Sequence, residues 1–556
     1  MRPSCQRRRC RGVAALALPL LLLPQTPSPA RDEPPPLVVV CVFDQMRADY
    51  LERFAPVFGD GGIRRLLAEG ADFTSCEYPY AGTETGPGHT TIGTGVLPAV
   101  HGIVANHFFD REAGRRTYCV EDRDSPLVGA KGEVEGKGRS ARWIAADTLG
   151  DRLRRESPAS RVYAVSWKDR AAIPLGGKLA NSVLWFSPEA GGFVSSRAWP
   201  SAIPPWLAEF QDAHALARLP SSWDRSLPLE AYARCSPDDS AWEHASSKLG
   251  RVFPHPIRSW AAVGRTPVGL RMLTDLAIEI VDREKLGRGP ASDLLCVSWS
   301  ATDYAGHDYG PSSQEALDVY ACADRELARF LAKLDSAVGA GRYVVALTSD
   351  HGVAEVLEPR GETTHRIHDV DKELVPGLSK EIGKELSSDR HWIATVAECD
   401  IALDRDTLRA SGVELDRAAT ELRDVLRRHP AVEAAYTASE LAGEKPAARG
   451  PYVDLFRASM HPGRYGDVFF VLRDGWTIGD DAASHGTPHE CDRHVPLLVR
   501  GPGVRPGRVD APVTPADLAP TLAAWLRLPP RPGEEERRLP FSKTVSAAAA
   551  TSSRAR

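Results

Sequence analysis

Short apolar runs alternate along this chain with stretches of helical spacing. Leu37–Phe43 (LVVVCVF) carries no polar residue before Asp44, the pattern of a strand buried on both faces of a parallel sheet. Similar runs at 71–80, 161–166, 294–298, 343–348 and 495–499 predict further strands. Residues 62–69, 141–154, 268–284, 313–337 and 515–525 predict helices. Strands that alternate with helices imply βαβ crossovers, hence an α/β fold whose mainly parallel sheet is sandwiched by helices.

Two stretches interrupt that rhythm. Residues 195–265 are rich in Pro and Trp (Trp199, Trp206, Trp223, Trp242, Trp260) and have little periodicity; they predict an inserted cap. Residues 357–464 read as a separate small α/β unit, with a helix near 414–428. The core is then built in three pieces, 37–194, 266–356 and 465–535, the last opening on a strand at 467–472. A tail at 536–556 turns to charge and then to Ala and Ser, predicting disorder from about residue 542.

The first thirty residues belong to none of this. Five arginines precede the apolar run 13–23, and Ser28-Pro29-Ala30 offers small residues for cleavage after Ala30. That is the layout of a signal peptide, and the run is too short to span a bilayer. A periplasmic or secreted location follows, with the export route, Sec or twin-arginine, left open. No other run approaches the ~18 apolar residues of a membrane span, so the mature chain is expected to be soluble. Losing the leader takes the net charge from −5 to −10, which argues against nucleic acid as the main partner. Eight cysteines remain, scattered and without a C-x-x-C pair, so thiolate zinc sites are not expected. Export permits disulfides, but their pairing is not legible.

The chemistry gathers just past the predicted strands, at the rim where open α/β sheets bind ligands. Asp44 follows the first strand directly. Asp350 and His351 follow the run 343–348, Asp303 and His307 follow 294–298, and His485 lies in Ser484-His485-Gly486. Three carboxylates and three imidazoles suffice for two metals about 4 Å apart. Asp303 and His307 are four apart and share a helix face. Thr85-Gly86-Pro87-Gly88-His89 follows the second strand. Its glycines allow close backbone approach, and Thr85 would sit just before a helix N-terminus that favours an oxyanion. A hydroxyl needs activation to act as a nucleophile, and a metal can supply it. Lys168 and Arg170, spaced i, i+2 on what reads as an extended segment, would point the same way and clamp phosphoryl oxygens. Asn106 could donate a further hydrogen bond.

In this order the residues resemble the alkaline phosphatase superfamily, in its type I phosphodiesterase/nucleotide pyrophosphatase branch. They are most similar to the monomeric, phosphate-irrepressible bacterial alkaline phosphatases that use threonine. The anchors are VFDQMR at 42–47, TGPGH at 85–89, SATDYAGH at 300–307, TSDHG at 348–352, HGTP at 485–488 and DLAPT at 517–521. The resemblance implies an alkaline-phosphatase-like fold and two zinc ions per chain. One zinc would be held by Asp303, His307 and His485, the other by Asp44, Asp350, His351 and the Thr85 oxygen. The nearby His489 is set aside in favour of the histidine before Gly486. Asn106, Lys168 and Arg170 would match the family's phosphate contacts, while His89, His101 and Glu84 are assigned structural roles.

The implied reaction is hydrolysis of small phosphate monoesters through a phosphothreonine at Thr85. The Lys-x-Arg pair suits a dianionic monoester, so a phosphodiesterase or nucleotide pyrophosphatase on the same core is the alternative. A sulfatase would need Cys or Ser in a C/S-x-P-x-R setting, which Thr85-Gly86-Pro87-Gly88 does not provide. A non-catalytic relative would be expected to lack at least one of these groups. Metal identity stays open at the level of the residues, since Asp/His sites also take manganese, iron or calcium.

Overall fold

The computed structural model describes residues 33–541, apart from 244–247, 387–389, 398 and 444–447. The expected leader at 1–30 and the tail from 542 onward lie outside the described residues. Eleven strands form the main sheet: β1 (Leu37–Phe43), β2 (Ala71–Phe73), β3 (Leu127–Gly129), β4 (Gly132–Glu133), β5 (Val162–Ser166), β6 (Ser182–Ser187), β7 (Gly192–Ser196), β8 (Asp293–Trp299), β9 (Val344–Thr348), β10 (Leu497–Arg500) and β11 (Gly507–Val509). Their order across the sheet is β11-β2-β10-β9-β1-β8-β5-β6-β7-β3-β4. The five central strands, β9-β1-β8-β5-β6, are mutually parallel. Antiparallel partners flank them, β10 beside β9 and the β7-β3-β4 ribbon beside β6.

Alternation along β1 explains why its sequence is apolar throughout. Leu37, Val39, Cys41 and Phe43 enter one hydrophobic cluster, and Val38, Val40 and Val42 enter another on the opposite face. At roughly 1.5–3 kcal/mol for each large apolar side chain, this strand alone contributes on the order of 10 kcal/mol of gross burial. Helices cover both faces. One layer holds α1 (Thr85–Thr94), α2 (Leu149–Glu156), α3 (Asp169–Gly176) and α7 (Leu518–Trp525); the other holds α4 (Pro267–Arg283), α5 (Ala301–Tyr309) and α6 (Gln314–Leu334).

Several boundaries differ from the sequence reading, each for a local reason. The strand expected over 71–80 is regular only through Phe73, after which isolated bridges at Cys76 and Glu77 carry the chain along the sheet edge. The helix expected from 141 starts at Leu149, where a reciprocal Thr148–Asp151 capping box fixes its first turn. The Lys168–Arg170 segment is not extended: β5 ends at Ser166, Lys168 caps α3 and Arg170 lies in its first turn. Residues 536–541 are ordered against the core, because Leu539 is buried and the Phe541 ring meets Phe73 and Trp525.

The Trp-rich stretch is pinned to its neighbours by indole hydrogen bonds. Trp223 donates to Asp318 on α6, Trp206 to Glu284 just past α4, and Trp199 to the Gly177 carbonyl. The second unit has its own four-stranded sheet, ordered Ile393–Val396, Asp400–Leu403, Val468–Leu472, Val432–Thr437. Val468–Leu472 pairs inside that sheet, so the unit extends past residue 464, because its interior strand is the last to arrive in sequence. Among the described residues, Cys41, Cys76, Cys119, Cys235, Cys296, Cys322 and Cys491 form no disulfide.

Candidate metal centre

Parallel strands end together, and the site forms where they do. β1 delivers Asp44, β9 delivers Asp350 and His351, β8 leads into α5 with Asp303 and His307, and β5 leads to Lys168. Thr85 is the first residue of α1, with Glu84 as the N-cap in extended conformation; the nucleophile candidate is therefore inside the first turn rather than ahead of it. The helix can come this close because of Gly88, where a methyl group would stand 2.2 Å from the Asp350 carbonyl oxygen. Asn106 Oδ1 accepts from the Gly86 amide at 2.8 Å, and the Asn106 amide donates to Glu84 at 2.9 Å. These bonds fix the side-chain oxygen and leave its NH2 group as a donor at the mouth of the helix.

Donor atoms converge in two groups. Asp44, Asp350 and His351 form one, and Asp303, His351 and His485 form the other, with each group's ligand atoms within 4.8 Å of one another. His307 joins the second group through Asp303, its Nε2 lying 3.3 Å from Asp303 Oδ1. His485 Nε2 is 3.7 Å from that same oxygen, and His351 Nε2 is 3.6 Å from Asp44 Oδ1. Tetrahedral ligands at about 2.0–2.1 Å from zinc stand roughly 3.3 Å apart, so these separations suit donors that share an ion. His351 lies between the groups, stacked on His485 with ring centroids 3.5 Å apart.

The donor set itself tests the fit to metal. Asp44 Oδ1 and His351 Nε2 are buried and make no hydrogen bond among the described residues, an expensive state unless an ion satisfies them. Each imidazole also turns Nδ1 to a backbone carbonyl: His307 to Ala483 at 3.0 Å, His351 to Gly352 at 2.9 Å, His485 to Thr83 at 2.8 Å. Carbonyls only accept, so Nδ1 carries a hydrogen in each ring, and the neutral form keeps its lone pair on Nε2 for a metal. The residues fit divalent metals with borderline or hard ligands.

Lys168 ties the groups together. Its ammonium lies 2.5 Å from Asp303 Oδ2, 2.8 Å from Asp44 Oδ2 and 3.4 Å from Thr85 Oγ1. Burial opposes its charge, but Asp303 and Asp44 more than compensate and raise its pKa. Burial also works to raise the Asp303 carboxyl, yet Lys168, His307 and His485 hold it well below the usual carboxylate range. Asp44 moves the other way, raised by burial and by Asp350 against the pull of Lys168. Burial lowers His351 and His485, the latter helped by its imidazole neighbours, which favours the neutral ligand form. His307 is the exception: despite burial, Asp303 and Asp481 push it up to about 10. Arg170 points its half-buried guanidinium beside Tyr118 and Tyr304, and its Nε makes no hydrogen bond among the described residues.

His489 is elsewhere, its Nε2 against the Leu472 carbonyl. His101 is engaged with Thr91 and the Ile103 amide. Two residues that sequence reasoning did not assign to the site do meet it. His89 brings Nδ1 to 2.9 Å from the Thr85 carbonyl and 3.1 Å from Asp350 Oδ2, while Nε2 meets Ser298 Oγ at 2.8 Å. Its position four residues after Thr85 on one helix was the available signal. Gln45 donates its backbone amide to Asp350 Oδ1 and its side-chain amide to Asp303 Oδ1, both at 3.1 Å.

Comparison with known proteins agrees with this architecture. Alkaline phosphatase PafA of Elizabethkingia meningoseptica is 31% identical over 509 residues, covering 89% of this chain and 92% of that protein. Alkaline phosphatase PhoV of Synechococcus elongatus is 31% identical over 513 residues, covering 89% and 90%. The crystal structure of wild-type PafA superposes with a TM-score of 0.82 at 30% identity, over 89% of this chain and 96% of that one. The family model for type I phosphodiesterase / nucleotide pyrophosphatase matches residues 38–494, and the chain belongs to that family.

Proposed function

We propose that this protein is an exported, metal-dependent alkaline phosphatase that hydrolyses small phosphate monoesters through a phosphothreonine at Thr85. The observation that carries the reading is the position of Lys168, whose ammonium reaches Thr85 Oγ1 and one carboxylate of each metal group. A phosphoryl group at Thr85 is thereby met by a buried cation on one side and by both donor clusters on the other.

Asp44, Asp350 and His351, with Thr85, would hold one metal, and Asp303, His307 and His485 the other; zinc suits the ligands. Bound there, the metals would lower the pKa of a hydroxyl and of a water and neutralise charge on the transferring group. The protein's own part is positioning. The N-terminus of α1 brings the partial positive charge of its helix dipole to Thr85. Thr85 Oγ attacks phosphorus in line, the bond from phosphorus to the alcohol oxygen breaks, and the phosphoryl group is left on Thr85. Water then attacks that phosphorus, and the bond to Thr85 Oγ breaks to release phosphate. Lys168, Arg170 and the Asn106 NH2 group hold the non-bridging oxygens throughout.

Lys168 and Arg170 together favour a dianionic monoester. A cavity of about 530 Å³ beside them, walled by Trp167, Trp185, Phe186 and Tyr304, has room for an organic substituent. That cavity also favours a second reading, a phosphodiesterase or nucleotide pyrophosphatase. Nitrophenyl phosphate and bis-nitrophenyl phosphate, assayed on one purified sample with its metal content measured, separate the two. The proposal expects the monoester to win by at least tenfold in kcat/KM with two metals per chain; diester preference would replace it with the second reading.

A further inference from the structure

Gln45 sits between the two donor groups in a backbone conformation its side chain disfavours. Its φ is +68°, a region that glycine enters freely and other residues avoid. Neighbouring hydroxyls hold it there: Thr302 donates to the Asp44 carbonyl at 2.6 Å and Tyr320 to the Gln45 carbonyl at 3.1 Å. A glycine would satisfy the backbone, so the presence of glutamine calls for a use of its side chain.

That use is visible in its contacts. The backbone amide holds Asp350 Oδ1, and the side-chain Nε2 holds Asp303 Oδ1. A carboxylate only accepts, which fixes the amide with nitrogen toward Asp303 and oxygen away. The oxygen occupies the space left by Gly306 on α5, where a methyl group would stand 1.7 Å from Oε1. One residue therefore grips one carboxylate of each group, and Gly306 keeps its path clear.

We propose that Gln45 is a positioning residue that sets the spacing between the two metal groups, its side chain serving the Asp303 half and its backbone the Asp350 half. The inference rests on the two-metal reading above and adds a division of labour within one residue. Outer-shell partners of metal ligands typically govern affinity by about 10- to 100-fold.

The test titrates zinc into metal-free full-length protein against a competing chelator. Wild type should take up two ions per chain. Gln45→Gly should weaken one site by about tenfold or more and leave the other within about twofold, with Tm unchanged or raised because glycine relieves φ. Gly306→Ala should reproduce that loss by displacing the amide, and should add nothing in the Gln45→Gly background, where the space is empty. If Gly306→Ala does not fold, Gln45→Asn, one methylene too short to reach Asp303, gives the second measurement and should behave like Gln45→Gly. The proposal is overturned if Gln45→Gly keeps both affinities or loses both together, if Gly306→Ala costs the same in both backgrounds, or if Gln45→Asn binds as wild type. A wild-type chain that binds fewer than two ions would overturn the two-metal reading itself, and this inference with it.

Discussion

The two halves of the site are built differently. Asp44, Asp350 and His351 are fully buried just past the ends of β1 and β9, two paired strands at the centre of the sheet. Asp303 and His307 hang from the first and last turns of α5 and His485 from a loop, and the His307 side chain keeps 18% of its surface exposed. The inner half is a property of the sheet, closed to solvent and next to the first turn of α1, which carries the proposed nucleophile Thr85. The outer half has the access that a leaving alcohol and an incoming water require. A centre that must hold an intermediate and also exchange with solvent gains from that inequality.

The largest expected effect tests the inner half. Thr85→Ala removes the attacking oxygen and should lower kcat by on the order of 10⁴-fold or more, while the metal count stays at two because aspartate and histidine supply most of the ligation. Loss of a metal ion together with activity would assign Thr85 a structural role. Next, Asp350→Ala and His307→Ala set the halves against each other. Asp350 also braces His89, Gln45 and the His351 amide, so its loss should cost about 3–5 kcal/mol of apo-protein stability in thermal unfolding, as removing one member of a buried charge network does. His307→Ala should weaken one metal and cost less apo-protein stability than Asp350→Ala, because its side chain is partly exposed. Equal destabilisation would erase the distinction between the halves.

Smaller effects sharpen the comparison. Lys168→Ala or Arg170→Ala should lower monoester kcat/KM by about 10- to 100-fold and diester kcat/KM by less, since each cation answers the extra phosphoryl charge. Equal losses would mean that the pair senses only the phosphorus centre. The last expected effect concerns pH. With its pKa raised to about 10, His307 is protonated at neutral pH, and the proton must leave before Nε2 can bind metal. Zinc affinity of the outer site, read by chelator competition, should therefore climb as pH rises from 7 toward 10; a flat profile would remove the His307 proton from the account.

The inner half was also the more legible in sequence. Asp44 directly follows an uninterrupted apolar run and Asp350 follows another after Thr348 and Ser349, and such runs suit a strand in the middle of a sheet. That β1, β5, β8 and β9 are strands could be anticipated from their apolar runs, whereas their order across the sheet could not. Lys168 and Arg170 misled because they follow so closely on the strand that the segment reads as its continuation, whereas the strand ends at Ser166 and a helix begins at Asp169. Gln45 lies inside the VFDQMR anchor, but its role was not legible, since a positive φ at glutamine is imposed by tertiary hydrogen bonds from Thr302 and Tyr320. The inserted unit hid its limit because its interior strand, Val468–Leu472, comes last in sequence.

The central claim is that the Thr85 oxygen receives the phosphoryl group. Acid quenching of the enzyme during turnover of a ³²P-labelled phosphate monoester, followed by peptide mapping, tests it directly. The account predicts acid-stable label on the peptide containing Thr85, absent from Thr85→Ala. Steady hydrolysis with no label on the protein, or label on another residue, would contradict it.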